Sequence, residues 1–75
     1  MSKTFEPVHQ GEINDAERNY RKAIEINPNE EKNFLYLGLL LISKEKYDQA
    51  ETQFLKVLEF NPENGYALYN IACIK

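Results

Sequence analysis

The feature that most constrains this chain is its match to itself at an offset of 34 residues. Sliding the sequence by that distance lays Asn27 and Pro28 on Asn61 and Pro62, Ala16 on Ala50, Tyr20 on Phe54, Ile24 on Leu58 and Ile26 on Phe60. Phe34, Leu37 and Gly38 likewise fall on Leu68, Ile71 and Ala72. Agreement at so many apolar and small positions, at one fixed offset, marks a repeat architecture in which each unit buries its hydrophobic face against a neighbour.

Spacing within the unit sets the local structure. Ile13, Ala16, Tyr20, Ala23 and Ile24 recur at the i, i+3, i+4, i+7 spacing of an amphipathic helix, with Arg18, Arg21, Lys22 and Glu25 mostly off the stripe. Tyr47, Ala50, Phe54, Val57 and Leu58 draw a second such stripe. Between them, Phe34 to Ile42 is apolar nearly all round, so that helix is contacted on more than one side. Pro28 and Pro62 each push the preceding residue out of helical geometry and end a helix. The pattern predicts an all-α fold of antiparallel helix-turn-helix units with helices at about 13–26, 30–43, 47–60 and 64–75. Asn14 with Glu17, and Asp48 with Glu51, read as capping boxes, and Asn29 and Asn64 as simple N-caps. Gly38 in mid-helix costs about 1 kcal/mol relative to alanine, which implies the close approach of a neighbouring backbone. Residues 1–10 show no helical period and contain Pro7, so they read as a flexible tail in which His9 is surface decoration.

Composition narrows the function. A net charge of -3, with nine basic residues interspersed among twelve acidic ones, argues against a binder of phosphate backbones, so no nucleic-acid partner is expected. The single cysteine, Cys73, has no partner for an internal disulfide, and with one histidine there is no zinc ligand set. The longest apolar run, Leu37 to Ile42, is far short of the roughly 20 residues that span a bilayer, and residues 1–10 lack the apolar core of a leader; the expectation is a cytoplasmic protein without a membrane partner. Catalysis needs convergent groups, and none are evident. Ser43 has no base to activate it, Glu30 and Glu31 diverge from the first turn of a helix, and Cys73 sits among apolar residues. The expectation is a non-enzymatic chain with no cofactor or metal.

These residues resemble the tetratricopeptide repeat family, whose 34-residue helix-turn-helix units stack into a superhelix. The complete unit, residues 29–62, carries the family's pattern at Phe34, Leu37, Gly38, Leu41, Tyr47, Ala50, Phe54, Leu58 and Pro62. Gly11, Ala16, Tyr20, Ala23 and Pro28 match in a half unit at residues 11–28, and Leu68, Ile71 and Ala72 in a partial unit at 63–75. Two departures stand out: Glu45 where the family usually has glycine at the turn, and Val57 where it has a small alanine. In family terms the helices run B, A, B, A. The resemblance implies a protein-interaction scaffold whose A helices line a concave groove, here by Lys32, Leu35, Leu39, Ile42, Tyr66, Tyr69, Asn70 and Cys73. Leu35 and Leu39 stand where members that clamp a C-terminal carboxylate need polar donors, so the implied ligand is an apolar or aromatic peptide segment or helix from a protein partner. The competing reading is that these side chains meet a further repeat. The outer faces, Ala16, Tyr20 and Ala23 at one end and Leu68 and Ile71 at the other, lack partners within the sequence. That leaves three readings: a piece of a longer array, a chain that self-associates head-to-tail or by swapping into a homo-oligomer, or a sufficient monomer.

Overall fold

The computed structural model describes residues 5–75, with side chains from residue 11 onward. It has four helices among the described residues: α1 Phe5–Ile26, α2 Glu31–Ser43, α3 Tyr47–Phe60 and α4 Gly65–Ile74. They pack in chain order, α1 on α2, α2 on α3 and α3 on α4. The result is a slab with extents of 44 × 30 × 17 Å. Asn27 and Asn61, which the repeat offset superposes, build the same turn at the ends of α1 and α3. In each, the side-chain Oδ1 accepts from the N–H two residues on, Asn29 or Glu63, at 3.2 Å.

The first helix corrects the sequence reading. It begins at Phe5 rather than near Ile13, so residues 5–10 are helical backbone and not a tail. Pro7 is its third residue, within the first turn, where an N–H has no intrahelical acceptor to lose. Residues 1–4 and the side chain of His9 lie outside what is described. With the start so far upstream, Asn14 is interior and caps nothing, and Glu17 bonds elsewhere. Asn29 is occupied in the turn, and the residue that enters α2 is Glu30, without a side-chain cap. Lys46 enters α3 in the same way, leaving Asp48 in the first turn, where it faces the positive end of the helix dipole. Only Asn64 caps as the sequence implies: its Oδ1 accepts from the Ala67 N–H at 3.0 Å.

The core lies between α2 and α3. Phe34, Leu35, Leu37 and Leu41 from α2 meet Ala50, Phe54 and Val57 from α3, with Ala67 from α4 closing one side. Val57 is fully buried, so the extra bulk at this position is absorbed in the core. Leu58 is only partly buried and packs at the margin, as do Tyr20 and Ile24 from α1. Ring pairs tie the margins, Phe34 to Phe60 and Tyr20 to Tyr36, each with centroids 5.7 Å apart. The glycine in α2 makes room for a side chain, not a backbone. A Cβ on Gly38 would lie 2.7 Å from Cε1 and 2.8 Å from Cζ of Phe54, a ring with no exposed surface.

In the turn between α2 and α3, Glu45 has φ of 63°, the left-handed region, which is the reason the family favours glycine there.

Two stability predictions follow from these positions. Gly38→Ala gains helix propensity but drives a methyl into a ring that cannot retreat, so thermal melts should show destabilisation of about 1–3 kcal/mol. Glu45→Gly relieves the left-handed penalty and should raise stability by about 0.5–1 kcal/mol after the entropy of the glycine in the unfolded chain is counted. A melting temperature unmoved by either change would contradict the corresponding account.

Candidate interaction surface

The starts of helices α2 and α4 are joined by the bond that Asn64 Nδ2 donates to Glu31 Oε2 at 2.6 Å. The same asparagine caps α4, so one side chain both starts that helix and ties it to the start of α2. Of the α2 residues assigned to the groove, Lys32 and Leu39 are exposed, and Ile42 is half-buried against the core. Leu35 is not a groove residue: at 9% exposure it belongs to the core. On so apolar a helix, the α2 spacing alone could not separate the face under α4 from the face beyond it.

On α4 the assignment divides differently. Tyr66 and Tyr69 are 72% and 70% exposed, and Cys73 is exposed beside them. A hydrogen bond with the Cys73 side chain pushes the Tyr69 hydroxyl above the ordinary tyrosine range. Asn70 turns its Nδ2 back onto the Tyr66 carbonyl at 2.7 Å, so one of its two amide hydrogens serves the helix, and the side chain is half-buried. The surface is therefore Lys32 and Leu39 on α2 and Tyr66, Tyr69 and Cys73 on α4, with Ile42 at its edge. Of the outer-face residues, Leu68 is exposed, Ile71 is partly buried, and Ala16, Tyr20 and Ala23 are half-buried, shielded on one side by α2.

A polar seam that sequence reasoning missed runs along the other helices. Glu17 accepts from Lys44 Nζ at 2.6 Å and from Arg21 Nε at 2.9 Å, while Arg21 Nη2 reaches Gln49 Oε1 at 3.3 Å. Arg18 pairs with Asp15 beside it. Asn14, Glu17, Arg18, Arg21 and Lys44 line an open depression of about 300 Å³. The second unit repeats the contact: Glu51, 34 residues after Glu17, holds Lys75 Nζ at 2.8 Å and raises the lysine above its usual range. The signal lay in the offset that superposes Glu17 on Glu51. Among the described residues no group of His, Cys, Asp and Glu side chains is placed to hold a metal ion, and no helix is long and apolar enough to cross a membrane.

Comparison with known proteins decides the family. The family model for the tetratricopeptide repeat matches residues 8–72. The chain belongs to the tetratricopeptide repeat family. Among its relatives is human tetratricopeptide repeat protein 6, 34% identical over 67 residues that cover 87% of this chain and 13% of that protein. The human and mouse proteins named Protein O-mannosyl-transferase TMTC3 are each 29% identical over 67 residues, 89% of this chain and 7% of theirs. This tetratricopeptide segment thus spans a small fraction of the relatives it matches. No solved structure matches it. Tetratricopeptide repeats generally mediate protein–protein interaction as non-enzymatic scaffolds, which agrees with the scaffold reading of the sequence at that level.

The tetratricopeptide seam carries a pH signature. The Lys44 hydrogen bond, aided by Arg21, holds Glu17 below the ordinary glutamate range against the opposing effect of burial. Its contribution to stability is therefore complete above the ordinary glutamate value and is lost as pH falls through the lowered folded one. Glu17→Gln should flatten that acid limb of stability against pH and cost about 0.5–1.5 kcal/mol near neutrality. An acid limb identical to the parent's would show that Glu17 is not the titrating group.

Proposed function

We propose that this chain binds an apolar or aromatic segment of a protein partner across α2 and α4. The observation that carries the reading is the pair Tyr66 and Tyr69, both more than two-thirds exposed, on a helix whose capping asparagine bonds the start of α2, the helix that exposes Leu39. Exposed aromatic side chains on rigid elements are the groups that dominate interface energetics, because they bury large area at small entropic loss. Lys32 at the α2 end of this surface supplies one cation, which suits an apolar segment with an acidic residue at its margin. Leu39 is the leucine that α2 exposes on this side and Lys32 the single cation beside it, short of the cluster of polar donors that would clamp a terminal carboxylate.

Peptides selected by display against the chain should be rich in Phe, Trp, Tyr or Leu. Tyr69→Ser should weaken their binding by about 2 kcal/mol, roughly thirtyfold, and Leu39→Ser by less, with thermal melts close to the parent's. Selected peptides that keep full affinity for both variants would place the binding elsewhere.

A further inference from the structure

We infer that Asn64 is a site of spontaneous deamidation, and that its conversion to aspartate breaks the bond joining the starts of α2 and α4. Deamidation begins when the backbone nitrogen of the next residue attacks the side-chain Cγ, so the bulk of that residue sets the access. Of the chain's asparagines, Asn64 alone precedes a glycine. Asn27 and Asn61 precede prolines, whose nitrogen has no proton to lose, and the others precede residues whose side chains crowd the attack. Nothing in the fold requires a glycine at position 65. Its φ lies outside the left-handed region, and a Cβ built on it meets no atom within 4 Å. It is the first residue of α4, where a backbone N–H has no intrahelical acceptor, so the helix does not tie up the nucleophile.

The reaction needs water alone. The Gly65 nitrogen bonds to Cγ of Asn64 and gives up its proton, and the side-chain amide leaves as ammonia. Water then opens the cyclic imide. Cleavage between Cγ and the nitrogen leaves aspartate; cleavage at the former main-chain carbonyl leaves isoaspartate, with the main chain routed through the side-chain carbon. The two bonds of Asn64 fare differently. Oδ1 accepts from the Ala67 N–H at 3.0 Å, a bond that aspartate keeps and the helix dipole favours. Nδ2 donates to Glu31 Oε2 at 2.6 Å, and this donor is what deamidation removes. Two carboxylates then face each other where both residues are half-buried, and they repel. Isoaspartate loses the cap as well, since its lengthened main chain shifts the first turn. The same geometry sets the rate. Attack on Cγ requires the side chain to leave both bonds, so the folded chain deamidates through openings at the start of α4, and Glu31 guards the amide it holds.

Incubation of the folded chain at physiological temperature, followed by peptide mass mapping, tests the site. Product should accumulate at position 64 before any other asparagine. Gly65→Ala, for which there is open space, should suppress it with the circular dichroism spectrum unchanged. Glu31→Ala should speed it about tenfold, as the loss of a hydrogen bond to a charged group shifts the opening equilibrium. In denaturant, where opening no longer limits the rate, Gly65→Ala should still slow the reaction and Glu31→Ala should lose its effect. Product appearing first at another asparagine, a rate indifferent to Gly65→Ala, or a folded-state rate indifferent to Glu31→Ala would overturn the inference. The consequence for the fold is read in Asn64→Asp. A change of cap alone predicts a melting temperature at or above the parent's, because aspartate caps as well as asparagine. The facing carboxylates predict a lower one, which adding Glu31→Gln should restore, since the new amide donates to the new acid. A variant with Asn64→Asp that melts with the parent, or one that Glu31→Gln fails to restore, would show that deamidation leaves the joint between α2 and α4 intact and would overturn that part.

Discussion

The contact on which the rest of this structure depends is the seat of the Phe54 ring against Gly38. It lets α2 and α3 approach closely enough for Leu37, Leu41, Ala50 and Val57 to close round the ring without exposed surface. An ordered pair of helices is the smallest unit with a dry interior here; α1 and α4 add margins to it. Tyr20 and Ile24 lean on the pair from one side, Ala67 and Ile71 from the other. The roughly 1 kcal/mol that a mid-helix glycine costs is thus offset by burial of Phe54, the largest fully buried side chain.

The same dependence explains what the sequence made legible. Burial is set by repeated long-range packing, so apolar period and the 34-residue offset gave the bodies of α2, α3 and α4 and most of the core. Helix ends answer to a few local bonds, and there the reading was uneven. Asn64 caps because it is the residue that enters α4, while Asn29 stands one residue short of the equivalent position, which Glu30 occupies. Pro7 looked like a barrier only because the helix was assumed to start after it; three residues into α1 it breaks no bond. Leu35 misled for a different reason. On a helix apolar nearly all round, the side that faces the next unit cannot be told from the side that faces solvent until α4 is in place.

Electrostatics ties the units in a way the apolar pattern could not announce. Glu17 is clasped by Lys44 and Glu51 by Lys75, so each B-type helix carries an acid gripped by the lysine that follows the last residue of the succeeding helix. A lysine is long enough to reach across a helix pair while its stem lies on apolar surface, which is why the contact survives at different positions, 27 residues apart in one unit and 24 in the other.

Helix α4 shows how packing divides the sides of a single helix. Its inner side is committed to α3 and the core, and a second side matches the pattern that α2 presents to α3. What remains, Tyr66, Tyr69 and Cys73, is the surface that packing within this chain does not use. In α2 the corresponding surface is partly consumed, because Leu35 is drawn under its neighbour and Leu39 is left as the exposed apolar residue. A repeat helix must therefore spare one side from stacking before it can recognise a ligand. Residues on that side can be exchanged without disturbing the ring seated against Gly38, so a repeat scaffold can keep its packing while its exposed side varies.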